Sequence, residues 1–205
     1  MSRDLDFKAF ADAYYERFAT VLKEFDKQPI SAVLEVLDRV AERGGTVWVA
    51  GNGGSAAISD HTVCDASKGT HVEGRPPIRT VSLASNGPML TALANDIAYD
   101  RVFSEQLKYY LGEDDAVLLV SSSGNSPNVI EACHFANQRG VPTIAFVGFK
   151  RGKLAELAKH VVWVPIENYG IVEDTHQSII HVLTQFIRAR NEERSMGDAL
   201  DHLRL

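Results

Sequence analysis

The chain has 205 residues, 45% hydrophobic and 23% charged, an ordinary globular balance with enough material for one substantial core. Its formal charge of −6 argues against nucleic acid as a partner, because gripping a phosphate backbone calls for a basic face. No run approaches the ~20 apolar residues that cross a bilayer, and the start, MSRDLDFKAF, carries charge where a secretion signal needs an apolar stretch; the sequence predicts a cytoplasmic protein with no membrane partner.

Phe10, Tyr14, Phe18 and Leu22 recur at helical spacing within a segment from Phe7 to Phe25. A second helix is predicted from Ile30 to Arg43, with Val33, Val36 and Leu37 on its apolar side and Gly44-Gly45 to end it. The run Thr46 to Ala50 is apolar without alternation, as in a strand covered on both faces. Four more strands are expected at Ile78–Leu83, Asp115–Val120, Pro142–Val147 and His160–Pro165, separated by helical or turn segments. Ile179, Ile180, Leu183, Phe186 and Ile187 mark a last long helix, and the closing SMGDALDHLRL is a short helix or a frayed tail. Cys64 and Cys133 fall in predicted helices without metal-type spacing and read as buried free thiols.

Strand–helix alternation of this kind gives an α/β fold, a flavodoxin-like doubly wound sheet of about five parallel strands flanked by helices. With no repeat or linker-like stretch, 1–205 reads as one domain: N-terminal helices over 1–44, an α/β core over 45–170, a C-terminal helix over 171–194 and a tail over 195–205.

In parallel sheets ligands bind beyond the carboxyl ends of strands, where strands give way to helices. Two such junctions are rich in small and hydroxyl residues: Gly51-Asn52-Gly53-Gly54-Ser55 after the first strand, and Ser121-Ser122-Ser123-Gly124-Asn125-Ser126-Pro127 after the third. Free backbone N–H groups at a helix start, with serine hydroxyls beside them, suit an anion. Gly51, Gly53 and Ala56 also satisfy a loose dinucleotide fingerprint, but the next strand ends Ser82 to Asn86 without the carboxylate that would hold a ribose. No Gly-Lys-Ser/Thr follows for a nucleotide phosphate loop either. A phosphosugar fits better.

The helix after the first loop bears His61 and Asp65, four apart and on one face, a spacing that suits metal ligation or a catalytic pair. The last helix offers Glu173, His176, Gln177 and His181; His176 reads as an ordinary solvated or core residue. Glu173 and His181 are eight apart, roughly 12 Å along one straight helix. Both reach one ligand only if the helix is unwound at Glu173 or if the two come from different subunits.

GNGGSAA, the Asn95-Asp96 pair, SSSGNSPN and the last helix with His181, taken in order along nearly the whole chain, resemble the phosphoheptose isomerase branch of the SIS (sugar isomerase) family. The resemblance implies that Ser121, Ser122, Ser123 and Ser126 hold a sugar phosphate. It implies that Asn52, Gly53, Gly54, Ser55, Asn95, Asp96 and Glu173 line the sugar. It further implies zinc on His61, Asp65, Glu173 and His181, catalysis by Asp65 and His181, and a homotetramer with sites between subunits. The family pattern has Glu where this chain has Asp65, and Gln where it has Glu173. The reaction implied takes D-sedoheptulose 7-phosphate to D-glycero-D-manno-heptose 7-phosphate through an enediol.

Three alternatives stand beside it. One is an isomerase of another sugar phosphate. A second is a non-catalytic SIS tetramer, which would have no need of His61, Asp65 and His181. The third is a sugar-phosphate sensor, which would carry a basic DNA-binding segment; the first forty residues are nearly balanced in charge.

Overall fold

The computed structural model describes residues 5–203; the first four residues of the charged start and the last two of the 195–205 tail lie outside the described residues. Five strands, β1 (Thr46–Gly51), β2 (Arg79–Ser82), β3 (Ala116–Ser121), β4 (Thr143–Val147) and β5 (His160–Trp163), form one parallel sheet in the order β2-β1-β3-β4-β5. This is the doubly wound order expected from the alternation. Around it run α1 (Phe7–Glu24), α2 (Gln28–Arg43), α3 (Gly54–Val63), α4 (Gly87–Asp96), α5 (Val102–Tyr110), α6 (Pro127–Gln138), α7 (Leu154–Leu157), α8 (Tyr169–Asn191) and α9 (Met196–His202).

Strand residues point alternately to the two faces, and both faces are covered. Leu118 and Val120 of β3 join Val36 and Val40 of α2 and Ile180 and Leu183 of α8 in one core layer. Val117 and Leu119 join Phe103 and Leu107 of α5 and Val129 and Ala132 of α6 in the other. An unbroken apolar run therefore satisfies two cores at once, which is why β1 and β3 lack polar alternation.

Local chemistry sets the helix ends. Gly44 closes α2 in the left-handed conformation, φ 71°. The Asn168 side chain accepts from the Ile171 N–H, so α8 starts at Tyr169, before the first residue of its apolar pattern. Ser195 caps α9 in the same way, and the tail is helical there. Past Val63 the chain does not continue as an α-helix but widens into a π-helical turn, Cys64–Gly69.

Trp48 is buried and donates to Asp115 Oδ2 at 2.8 Å, whereas Trp163 on the edge strand is 37% exposed. Cys133 is buried, and burial pushes its thiol up to about 11. Cys64 corrects the reading of both thiols as buried: it lies on the outer side of the π-helical turn and is exposed.

Candidate active site

The strand order reverses between β1 and β3, which are neighbours in the sheet (Gly51 opposite Val120) but send the chain in opposite directions. The two small-residue loops follow these two strands, so they face each other across the crevice that such a reversal opens. Asn52, Gly53, Gly54 and Ser55 from one loop, and Ser121, Ser122, Ser123 and Ser126 from the other, line a cavity of about 270 Å³ together with Tyr169 and Glu173.

The serine loop is held from behind. Leu154 N–H donates to Gly124 O at 2.9 Å, Lys153 N–H to Asn125 Oδ1 at 3.0 Å and Gly148 N–H to Ser122 O at 3.0 Å. The Lys150–Lys153 turn is thus a brace. Gly124 has φ 66°, and a Cβ there would lie 2.0 Å from Arg151 O. Within the loop, Ser121 Oγ accepts from Gly124 N–H and lies 3.4 Å from Ser126 Oγ, while the buried Ser122 hydroxyl has no protein partner.

The Glu173 carboxylate lies over the start of α3, where a Cβ on Gly54 would meet its Oε2 at 2.1 Å. Burial, and then the neighbouring Asp174, raise its pKa above the ordinary carboxylate value. One turn of α8 further on, His176 is wholly buried and bonds the Val147 carbonyl through Nε2 at 3.2 Å. Burial lowers it to about 4, so it is a neutral core residue that seats α8 behind the serine loop.

His61, Asp65 and His181 converge, their potential ligand atoms all within 4.8 Å of one another. Asp65 Oδ2 lies 3.1 Å from His61 Nε2 and 3.4 Å from His181 Nε2, and the two imidazole nitrogens are 3.1 Å apart. Yet this oxygen is buried and makes no properly oriented hydrogen bond. A buried carboxylate oxygen left without an oriented hydrogen bond, aimed with two imidazole nitrogens at one point, fits a small cation, and two imidazoles with a carboxylate suit zinc. The widened turn carries Asp65 to this point; wide turns of this kind recur at functional sites. Gln177 Nε2 is 3.2 Å from His181 Nε2.

Three expected residues lie outside the converging group. Glu173 lines the cavity and is not among the three converging side chains; α8 runs unbroken from Tyr169, so the helix is not unwound there. Asn95 and Asp96 end α4 exposed, bonded to each other at 2.8 Å. Conversely, Tyr169, which lines the cavity, and Tyr99 and Asn128, which bond the Asn52 side chain, are not legible as site residues in the sequence. Asn128 followed the serine loop directly in sequence, and that adjacency was the one available signal.

A parallel sheet with its ligand crevice at the reversal of strand order, walled by two anion-type loops, defines a doubly wound α/β ligand-binding protein. The SIS domain family model matches residues 11–148. A probable phosphoheptose isomerase of Thermoplasma acidophilum is 33% identical over 177 residues, 86% of this chain and 97% of the relative. The phosphoheptose isomerase of Thermodesulfovibrio yellowstonii is 33% identical over 176 residues, 84% and 87% of the two chains. The solved phosphoheptose isomerase of Neisseria gonorrhoeae superposes with a TM-score of 0.83 at 27% identity, over 90% of this chain and 100% of that one. The chain belongs to the SIS-domain family, in its phosphoheptose isomerase branch. Among the described residues no helix is long and apolar enough to cross a membrane.

Proposed function

We propose that this protein is a sugar-phosphate isomerase that converts D-sedoheptulose 7-phosphate to D-glycero-D-manno-heptose 7-phosphate through an enediol. Its branch of the family makes it an enzyme of the isomerase class. One observation carries the finer reading. A buried, unpartnered carboxylate oxygen of Asp65 lies between two imidazoles, in a protein that also carries a serine-lined cavity.

The Ser121, Ser122, Ser123 and Ser126 hydroxyls and the loop N–H groups hold the phosphate. Asn52, Gly53, Gly54 and Ser55 form the opposite wall, and Asn95 and Asp96 meet the sugar. Phosphate binding anchors the open chain, so remote binding energy positions C1 and C2. Asp65 takes a proton from C1 while His181 gives one to O2, which yields the enediol. Asp65 then returns its proton to C2, and O1 gives its proton to His181, leaving the C1 aldehyde.

His61, Asp65 and His181 would hold zinc, which would supply Lewis-acid polarisation of the carbonyl. Glu173 and His181 share one continuous helix, roughly 12 Å apart along it. Glu173 therefore serves the group of a second copy, in keeping with a homotetramer whose sites lie between subunits. The chain acts as one SIS domain in the cytoplasm, where its free thiols stay reduced.

The test is NMR of the purified protein with sedoheptulose 7-phosphate, with and without zinc, beside an Asp65→Asn control. An aldoheptose 7-phosphate formed by the wild type and not by the control supports both the reaction and the role of Asp65. Conversion by both moves the base elsewhere. No conversion by folded protein under either metal condition removes the heptose reading.

A further inference from the structure

Asn52 stands where the first loop meets the helix of the serine loop, and its carboxamide is paired head to tail with that of Asn128. Asn52 Nδ2 donates to Asn128 Oδ1, and Asn128 Nδ2 to Asn52 Oδ1, each at 2.9 Å. The direction of this pair is not free. The Val129 backbone N–H, which can only donate and is shared with Ser126 O at 3.1 Å, lies 3.0 Å from the same Asn128 atom and so marks it as oxygen. Asn52 must then turn its nitrogen toward Asn128 Oδ1 and its oxygen toward Asn128 Nδ2. The Tyr99 hydroxyl donates to that Asn52 oxygen at 3.0 Å.

Counting valences gives the consequence. Both lone pairs of Asn52 Oδ1 are engaged, and one of the two Nδ2 hydrogens is engaged. A single N–H remains on a residue that lines the cavity. Asn128 is 1% exposed and cannot easily turn over, since reversing it would set two donors against each other at Val129. Tyr99 is 63% exposed and rides on a short 3-10 turn, Tyr99–Arg101, set against α6 where Arg101 Nε is 4.0 Å from Glu131 Oε2.

We propose that Tyr99 and Asn128 are positioning residues that lock Asn52 as a one-way donor, so the cavity selects a hydrogen-bond acceptor of the bound sugar phosphate at that point. The identity of the ligand rests on the isomerase reading above; the lock does not. Removing the Tyr99 hydroxyl frees one lone pair of Asn52 and loosens the amide without touching the core. The loss of one neutral hydrogen bond corresponds to about a three- to tenfold weaker ligand complex.

Two measurements test it. In the ligand-free protein, the ¹⁵N–¹H signals of the Asn52 carboxamide, assigned by their loss in Asn52→Ala, should show one proton exchanging slowly with water. Tyr99→Phe should speed that exchange severalfold. Equal, fast exchange of both protons in the wild type overturns the lock whatever the ligand is.

The second is a double-mutant cycle read by calorimetric binding of sedoheptulose 7-phosphate to wild type, Tyr99→Phe, Asn52→Ala and the double variant. Tyr99→Phe should weaken binding about three- to tenfold in the wild-type background and not at all in the Asn52→Ala background. An equal loss in both backgrounds overturns positioning through Asn52. If the wild type binds inorganic phosphate but not the heptose phosphate, the heptose reading fails, and the same cycle run with inorganic phosphate decides the lock. Binding of neither overturns the donor role.

Discussion

The serine loop and the His61–Asp65–His181 group differ in how far the chain itself completes them. The loop is bonded from behind by the Gly148–Leu154 segment and keeps most of its polar atoms occupied. The other group leaves a buried carboxylate oxygen unsatisfied and two imidazole nitrogens facing each other. On the proposed function, the first is a preorganised receptor for a fixed group, the phosphate. The second keeps one buried carboxylate oxygen that only something added can satisfy, a common state of a reacting centre.

The sharpest way to break this contrast is Asp65→Asn. Turnover of sedoheptulose 7-phosphate should fall by about 10²–10⁴, while calorimetry with inorganic phosphate shows unchanged affinity. A parallel loss of phosphate affinity would mean the two regions are one unit.

Next in size is the acid response of the segment behind the serine loop. His176 is held at about 4 in the folded protein, against 6.5 for the free side chain. The unfolded chain therefore takes up the proton first. Stability is intact above the unfolded value and declines as pH falls from 6.5 toward 4, by about 3 kcal/mol in all. Urea midpoints at pH 7 and pH 4.5 should differ accordingly, and His176→Gln should shrink the difference.

Gly124→Ala forces a Cβ onto the Arg151 carbonyl at a positive φ and should lower stability by about 1–3 kcal/mol in denaturant titrations. Zinc affinity of the three-residue group should not change. Smallest is Ser126→Ala, which removes one hydroxyl from the cavity wall and should weaken phosphate binding by about tenfold or less.

Most of the fold was legible because apolar runs without alternation, bounded by glycine and serine, leave little besides buried parallel strands. The two loops were legible for the same reason: their residue types lie contiguously at strand ends. His61 and Asp65 were legible as an i,i+4 pair, although the wider turn that places Asp65 leaves no periodic signature. Tyr99 was not, since it lies 47 residues from Asn52 in a short turn with no pattern, and only tertiary structure joins them. The exposure of Cys64 was hidden by the same π-helical turn, which changes the face a residue presents.

The two loops hang from adjacent strands in fixed register, Gly51 opposite Val120, at the centre of the sheet. Neighbouring strands stand ~4.8 Å apart, so the spacing of the two loops is gauged by the backbone itself and cannot widen without unzipping two buried strands. On the proposed function, such a gauge admits a phosphate whatever is attached to it, and a lineage carrying this fold changes the length or stereochemistry of its sugar by altering residues away from the two loops, while the anion end stays as it was.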